Sequence, residues 1–320
     1  MIPVVDLSGS VDAYAHAVID AVESIGFVAV TGHGVAQSQI DAMRTLLVDL
    51  FDLSDGVKVD QAITRSNYRG FIPLGFFTPN RDDPDAPAPD AYEGFKVHRE
   101  VSADNPVCAQ SEIYGPNRWP PQLPKMADIV LDYWAGCDRL ATQLLAIFED
   151  ALGLAEGDLQ QRFEHPVTNM TLLHYPPTEP DENRFGIHPH KDTNVITVLY
   201  PDPVGGLFAR TRAGEWIEAT CPSDALLINV GDMLEIWSGG RFVSTPHKVI
   251  NVSGSQRYAF PWFLAPSHDQ VVEPLVDLAP GFDRSDPIHV GDWSLEVWRT
   301  NWPDAAPVDD HLHLGTLDAD

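Results

Sequence analysis

Cysteine is scarce in this chain. There are three in 320 residues, Cys108, Cys137 and Cys221, far apart and without a CxxC pair. That count excludes a disulfide framework and argues against a thiolate zinc site. Basic residues are few as well, 20 Lys and Arg against 47 Asp and Glu, for a formal charge of −27. Phosphate contacts need clustered cations, so neither nucleic acid nor an anionic membrane surface is an expected partner. The acidity reads instead as solubility. No window approaches the roughly 18 uninterrupted apolar residues of a membrane span. Met1 to Leu7 carries no basic stretch and reaches Asp6 early, so no secretion signal is expected. With 44% hydrophobic and 21% charged residues, these absences describe a globular protein of a reducing cytoplasm.

Hydrophobic periodicity divides the chain into two textures. Ile2 to Leu7 reads as a strand, residues 11–25 as a helix (Tyr14, Val18, Ile19 and Val22 on one face), and Gly26 to Val30 as a strand closed by Gly32-His33-Gly34. A second helix is expected from Gln37 to Leu53. Residues 65–90 read as irregular, and Asp82 to Asp90, rich in Pro, Asp and Ala, as a solvated loop. The clearest helix runs from Pro124 to Leu152, with a core-facing stripe from Met126 to Phe148.

From Val167 the chain breaks into short β-rich runs at 170–175, 190–200, 206–210, 216–219, 225–229, 234–237, 247–252 and 258–264. Eight short strands in succession point to a jelly-roll or related closed β-fold. A Pro/Asp-rich connector and a late helix, Val290 to Trp302, follow. No repeat or isolating linker is visible. The expected architecture is one domain: a helical and mixed N-terminal part (1–165), a jelly-roll core (166–266) and a C-terminal extension with a helix (267–320).

The residues richest in chemistry are His188-Pro189-His190-Lys191-Asp192. In a strand, side chains two apart share a face, so His190 and Asp192 can project together into a barrel mouth. His247, at the start of a later strand, can supply a third ligand. Two histidines and one carboxylate leave open positions on an octahedral metal, as in non-haem Fe(II) oxygenases. The tripeptide alone is common by chance, and the residues could equally be polar positions at strand ends. On the same strand geometry, Lys191 should point away from the metal, to solvent or the barrel exterior, with no catalytic role. His188, at the strand's beginning, reads as a surface or supporting residue, and the histidines at 16, 33, 98, 165, 268, 289, 311 and 313 read as structural.

Longer motifs sharpen this. Gly26-Phe27-Val28-Ala29-Val30-Thr31-Gly32-His33-Gly34, Tyr68 to Pro73, Glu93-Gly94-Phe95, His174-Tyr175-Pro176-Pro177, Gly186 to Asp192, Gly205-Gly206-Leu207, Asn229-Val230-Gly231-Asp232, Ser244 to Val249 and Arg257-Tyr258-Ala259 occur in order. In that order they resemble the isopenicillin N synthase-like family of Fe(II)- and 2-oxoglutarate-dependent oxygenases over nearly the whole chain. The resemblance implies that His190, Asp192 and His247 hold Fe(II). It implies that Arg257 pairs with the distal carboxylate of 2-oxoglutarate and that Tyr175 donates its hydroxyl to the same co-substrate. It also implies a small-molecule substrate, no obligate protein partner, and Arg69, Phe71, Tyr92 and Phe263 as contributors to the substrate side. The reaction it implies couples decarboxylation of 2-oxoglutarate with O₂ to hydroxylation, desaturation or cyclisation at a C–H bond, as a tailoring step. Two departures stand out: Lys191 where the family has Thr, and Ala259 where a Ser or Thr hydroxyl assists the co-substrate. The second leaves open an oxidase of the same fold that dispenses with 2-oxoglutarate. A non-catalytic binding barrel is a more distant reading.

Overall fold

The computed structural model describes residues 1–77, 88–177, 185–251, 254–283, 286–300 and 302. In chain order the elements are β1 (Val4–Asp6), α1 (Val11–Ser24), β2 (Phe27–Thr31), α2 (Gln37–Phe51), α3 (Asp55–Asp60), β3 (Gly70–Ile72), β4 (Glu93–His98), α4 (Met126–Leu152) and β5 (Asn169–Tyr175). The β-rich half follows with β6 (Ile187–His190), β7 (Ile196–Leu199), β8 (Leu207–Arg210), β9 (Trp216–Glu218), β10 (Leu226–Val230), α5 (Asp232–Trp237), β11 (His247–Val249), β12 (Arg257–Ala259) and β13 (Trp262–Leu264). A small ladder of β14 (Val271–Val272) with β15 (Ile288–His289) and helix α6 (Val290–Thr300) end the described chain.

Two sheets face each other in a jelly-roll arrangement. The larger runs β1-β2-β10-β7-β13-β5-β4-β3, with β12 also on β5; the smaller runs β6-β11-β8-β9. The N-terminal part therefore does more than buttress the barrel. β1 to β4 complete the large sheet at both edges, so the sheet is not confined to residues 166–266. The outer face of that sheet packs on α1, α2 and α4, whose Val18, Val22, Leu47, Tyr133 and Leu144 are buried in one apolar cluster with Phe95, Leu172 and Trp262. A second cluster, including Phe27, Tyr92, Leu173, Tyr175, Leu207 and Val249, fills part of the space between the sheets.

Several boundaries differ from the sequence reading. The run 190–200 is two strands separated by the turn at 191–195, and 258–264 is two strands interrupted at Phe260-Pro261. Residues 234–237 belong to helix α5, where all six residues are buried. A wholly buried run of this length shows neither period, so periodicity could not distinguish strand from helix. Gly231 before α5 is required by crowding: a Cβ there would stand 2.1 Å from the carbonyl oxygen of Asn194. The expected irregular stretch 65–90 contains β3, and most of its Asp82–Asp90 loop lies outside the described residues; Asp90 itself is buried, not solvated. Among the described residues, no helix is long and apolar enough to cross a membrane.

Candidate active site

The two sheets bring His190 and His247 together by register. His247 on β11 pairs directly with His190 on β6, and their rings lie 4.3 Å apart, centroid to centroid. Phe27, on the neighbouring sheet, meets the His247 ring edge-on at 5.6 Å. Asp192 arrives by a different route from the one strand alternation suggests. β6 ends at His190, so Asp192 lies in the turn beyond it. It is placed instead by bonds to the large sheet: Thr197 Oγ1 and Asn229 Nδ2 donate to its Oδ2 at 2.5 and 2.7 Å, and the Asp232 N–H donates to its carbonyl at 2.7 Å.

This leaves Asp192 Oδ1 facing the two imidazoles, 3.8 Å from His190 Nε2 and 3.7 Å from His247 Nε2. One ligand atom from each of the three residues falls within 4.8 Å of the others. The tautomers follow from the backbone. His190 Nδ1 lies 2.8 Å from the His188 carbonyl and His247 Nδ1 3.1 Å from the Thr245 carbonyl. A carbonyl can only accept, so each Nδ1 carries the proton and each Nε2 presents a lone pair to the shared space. Burial works against the Asp192 charge, but His247, His190 and the two donated hydrogen bonds outweigh it and hold the carboxyl below its ordinary value. Burial, with His190 beside it, holds His247 well below the usual imidazole value despite the attraction of Asp192. With both Nδ1 atoms turned to carbonyls, two Nε2 atoms and one carboxylate oxygen form a donor set suited to a divalent first-row metal with open positions.

Lys191 is only partly exposed, held by two acids where a solvent-facing side chain was expected. Its Nζ lies 3.2 Å from Glu235 Oε2 and 3.8 Å from Asp232 Oδ1, both on α5. Glu235 in turn accepts the Ser244 N–H at 2.9 Å, three residues before His247. One carboxylate thus braces both segments that carry the three candidate ligands. The buried acids of α5 draw in a side chain that alternation alone would send outward. His188 is also buried, not at the surface: its backbone N–H and its Nδ1 meet Asp90 Oδ1 at 2.9 and 2.6 Å.

Further along the space between the sheets stands Arg257. It pairs in register with Tyr175, is 2% exposed, and its Cζ lies 4.6 Å from the Tyr175 ring centroid. Nε donates to the Gly205 carbonyl at 2.8 Å, while Nη1 is buried with no hydrogen-bond partner. A buried, permanently charged guanidinium with an unused donor calls for an anion. Burial pushes the Tyr175 hydroxyl up to about 12, so it remains a donor. Ala259, on the same face, adds no donor. The geometry fits a small dicarboxylate with one end at Arg257.

The remaining candidates separate. Tyr92 lies beside Tyr175, ring centroids 6.0 Å apart with the planes tilted by 53°, inside the space between the sheets. Phe263 pairs in register with Thr197 and Asn169 and shares their face. Phe71 lies on the other side, packed against Phe95 at 4.9 Å and Phe51 at 6.3 Å in the helix-covered core. Arg69 is buried near Trp298, its Nη2 on the Ile113 carbonyl. Sequence reasoning missed Lys96, Thr197, Asn229 and Asp90. The Asn-Val-Gly-Asp motif could have pointed to Asn229.

Residues 158–266 match the model of the 2OG-Fe(II) oxygenase superfamily, and residues 2–122 that of the non-haem dioxygenase in morphine synthesis N-terminal region. A 2-oxoglutarate-dependent dioxygenase, traH of Penicillium crustosum, is 31% identical over 280 residues, 82% of this chain and 83% of its own. The chain belongs to the 2OG-Fe(II) oxygenases. A second relative, homoarginine-6-hydroxylase 2-ODD-C23 of Glycine max, is 30% identical over 259 residues, 78% of this chain and 76% of its own. The crystal structure of a full-length Neurospora crassa protein in complex with alpha-KG shares the fold, with a TM-score of 0.79 at 22% identity over 93% of this chain and 95% of that one. The oxygenase uses Fe(II), 2-oxoglutarate and O₂ on a small-molecule substrate.

Proposed function

We propose that this oxygenase oxidises a C–H bond of a small metabolite as a biosynthetic tailoring step, with Fe(II) on His190, Asp192 and His247 and 2-oxoglutarate on Arg257 and Tyr175. When bound, the iron and its co-substrate supply the oxidising chemistry, in which 2-oxoglutarate and O₂ give succinate and CO₂ as the substrate C–H bond is oxidised. The chain's own residues do the rest. The carbonyls of His188 and Thr245 fix the imidazole tautomers, and Thr197 and Asn229 hold one carboxylate oxygen so that the other faces the metal position.

The observation that carries the reading is Arg257 Nη1, buried without a partner on the sheet face that also holds Asp192's anchors. It disfavours an oxidase without 2-oxoglutarate, which would leave that charge unanswered. Hydroxylation is favoured over desaturation and cyclisation by the relative named as a homoarginine-6-hydroxylase. The interleaving of N-terminal strands with the jelly roll supports one oxygenase domain, with Tyr92, Phe263 and Arg69 toward the substrate and Phe71 as core. Three free cysteines, two pushed up by burial toward the thiol form, are consistent with a reducing cytoplasm. The test is direct: titration should give one Fe(II) per chain, and the loaded protein should bind 2-oxoglutarate, with Arg257→Ala losing the second property and keeping the first. Equal 2-oxoglutarate affinity in Arg257→Ala would overturn the co-substrate assignment.

A further inference from the structure

Within the oxygenase reading above, we propose that the substrate carries a carboxylate and that the ammonium group of Lys96 receives it. Lys96 sits mid-way along β4, in register with Thr171 of β5 and therefore on the same face. That is the face of Asn169, Tyr175, Thr197 and Phe263, the one turned toward the smaller sheet. Nζ donates to Asn169 Oδ1 at 2.6 Å and to Thr171 Oγ1 at 2.9 Å, and lies 5.4 Å from the Phe263 ring centroid. Both acceptors are neutral. An ammonium has three donors, so one N–H is left without an acceptor among the described residues. No carboxylate is ion-paired with it there. Asp192 is the acid that bears on it electrostatically, and its oxygens are already turned to Thr197, Asn229 and the two imidazoles.

A second cation stands close by. Among the described residues Arg69 donates to neutral acceptors, the Ile113 carbonyl and Asn67 Oδ1, and its Nε is buried without a partner there. Glu100, the acid that acts on it, is itself held through Oε2 by Asn117. His98, at the end of β4, is kept neutral by burial and by these two cations, so it answers neither. In a chain with a net charge of −27, two cations gathered together without a carboxylate contact among the described residues are not a solubility feature. Ordinarily such charges are paired or neutralised. Burial has drawn the Lys96 ammonium down to about 7, as expected of a cation lacking its counter-ion.

The position also says which anion. Thr171 and Tyr175 are four residues apart on β5, roughly 13 Å at the usual strand rise. A five-carbon diacid held at Arg257 does not extend to Lys96, so the two cationic positions take different ligands. One free N–H at Lys96 and one at Arg69 suit a monoanionic carboxylate better than a phosphate, which asks for more donors.

The experiment uses Fe(II)- and 2-oxoglutarate-loaded protein under argon, titrated calorimetrically with hexanoate, phenylpropanoate, N-acetylleucine and N-acetylphenylalanine, each beside its primary amide. At least one acid should bind ten-fold or more tighter than its amide. Lys96→Met should erase that preference, Lys96→Arg should restore part of it, and both should keep 2-oxoglutarate affinity within about two-fold. An acid–amide preference that survives Lys96→Met, or the absence of any such preference in the wild-type protein, overturns the proposal. Loss of 2-oxoglutarate binding in Lys96→Met overturns it too, by assigning Lys96 to the co-substrate. Failure of the oxygenase reading would show separately, as absent 2-oxoglutarate binding in the wild-type sample.

Discussion

The two faces of β5 make the most useful comparison in the molecule. Asn169, Thr171, Leu173 and Tyr175 look toward the smaller sheet, where they meet Lys96, Phe263, Ala259 and Arg257. Met170 and Leu172 look the other way and are fully buried beneath the helices, with Trp262 and Phe95 opposite them. One seven-residue strand thus serves two environments. The helix-covered face is apolar at Met170 and Leu172 and becomes polar only at His174, which meets Glu93 at the strand's end, whereas the inner face carries hydroxyls, amides and unbalanced charge. Folding energy comes mainly from the first, and the second spends some of it on groups that water would otherwise solvate. Function in this fold is therefore written on one parity of the strand, and substitutions on the two parities should fail differently.

The largest expected effect lies at the metal position. His247→Ala should abolish stoichiometric Fe(II) binding and lower turnover by more than about 100-fold, since loss of even an outer partner of a ligand costs ~10–100-fold. Its thermal unfolding without metal should change less than that of an apolar core truncation, because the buried ring is polar and its main contacts are one carbonyl and the Phe27 edge. A stable, active His247→Ala protein would dissolve the distinction between the faces. Next comes Arg257→Ala, which removes a charge-assisted contact worth about 1.5–3 kcal/mol and should weaken 2-oxoglutarate about 10- to 150-fold by direct titration.

On the opposite parity, Leu172→Ala should destabilise the fold by about 2–5 kcal/mol in a urea titration while leaving 2-oxoglutarate affinity of the folded fraction unchanged. Ala259→Ser is the gentler probe of the inner face. The added hydroxyl should tighten 2-oxoglutarate by no more than about ten-fold, and a larger gain would mean that Arg257 contributes less than its burial implies. The smallest effect is in pH. Burial raises the Glu93 carboxyl, but His174 and Lys58 hydrogen bonds outweigh it and leave it below its ordinary value. A depressed carboxyl contributes stability that is present above its unfolded value of 4.5 and is lost as pH falls through the folded one. Urea midpoints of wild type and Glu93→Gln should therefore differ near neutrality and converge in acid.

What could be read from the sequence was chemistry held in short segments. His190, Asp192, His247, Arg257 and Tyr175 stood out because their residue types and neighbours are specific, and the run of short β-segments gave the jelly roll. The reasons were less secure than the residues. Asp192 reaches its place through Thr197 and Asn229, not strand alternation, because β6 stops at His190. Lys191 and Asp90 read as solvated, since polar residues in turns usually are, yet both find buried partners. Lys96 carried no signal of its own: a lysine in a strand normally points to water, and only the pairing of β4 with β5 turns it inward.

By itself the sequence determined the period of each long helix, the inventory of ligating and charged side chains, and the acidic surface. Those are local properties, set by side-chain chemistry and the geometry of a single element. Only the tertiary structure decided that His190 faces His247 across 57 residues of chain, that β1 to β4 join the jelly-roll sheet, and that Arg257 and Lys96 occupy separate interior positions. Each of these depends on strand register, where a shift of one residue turns every side chain to the other face.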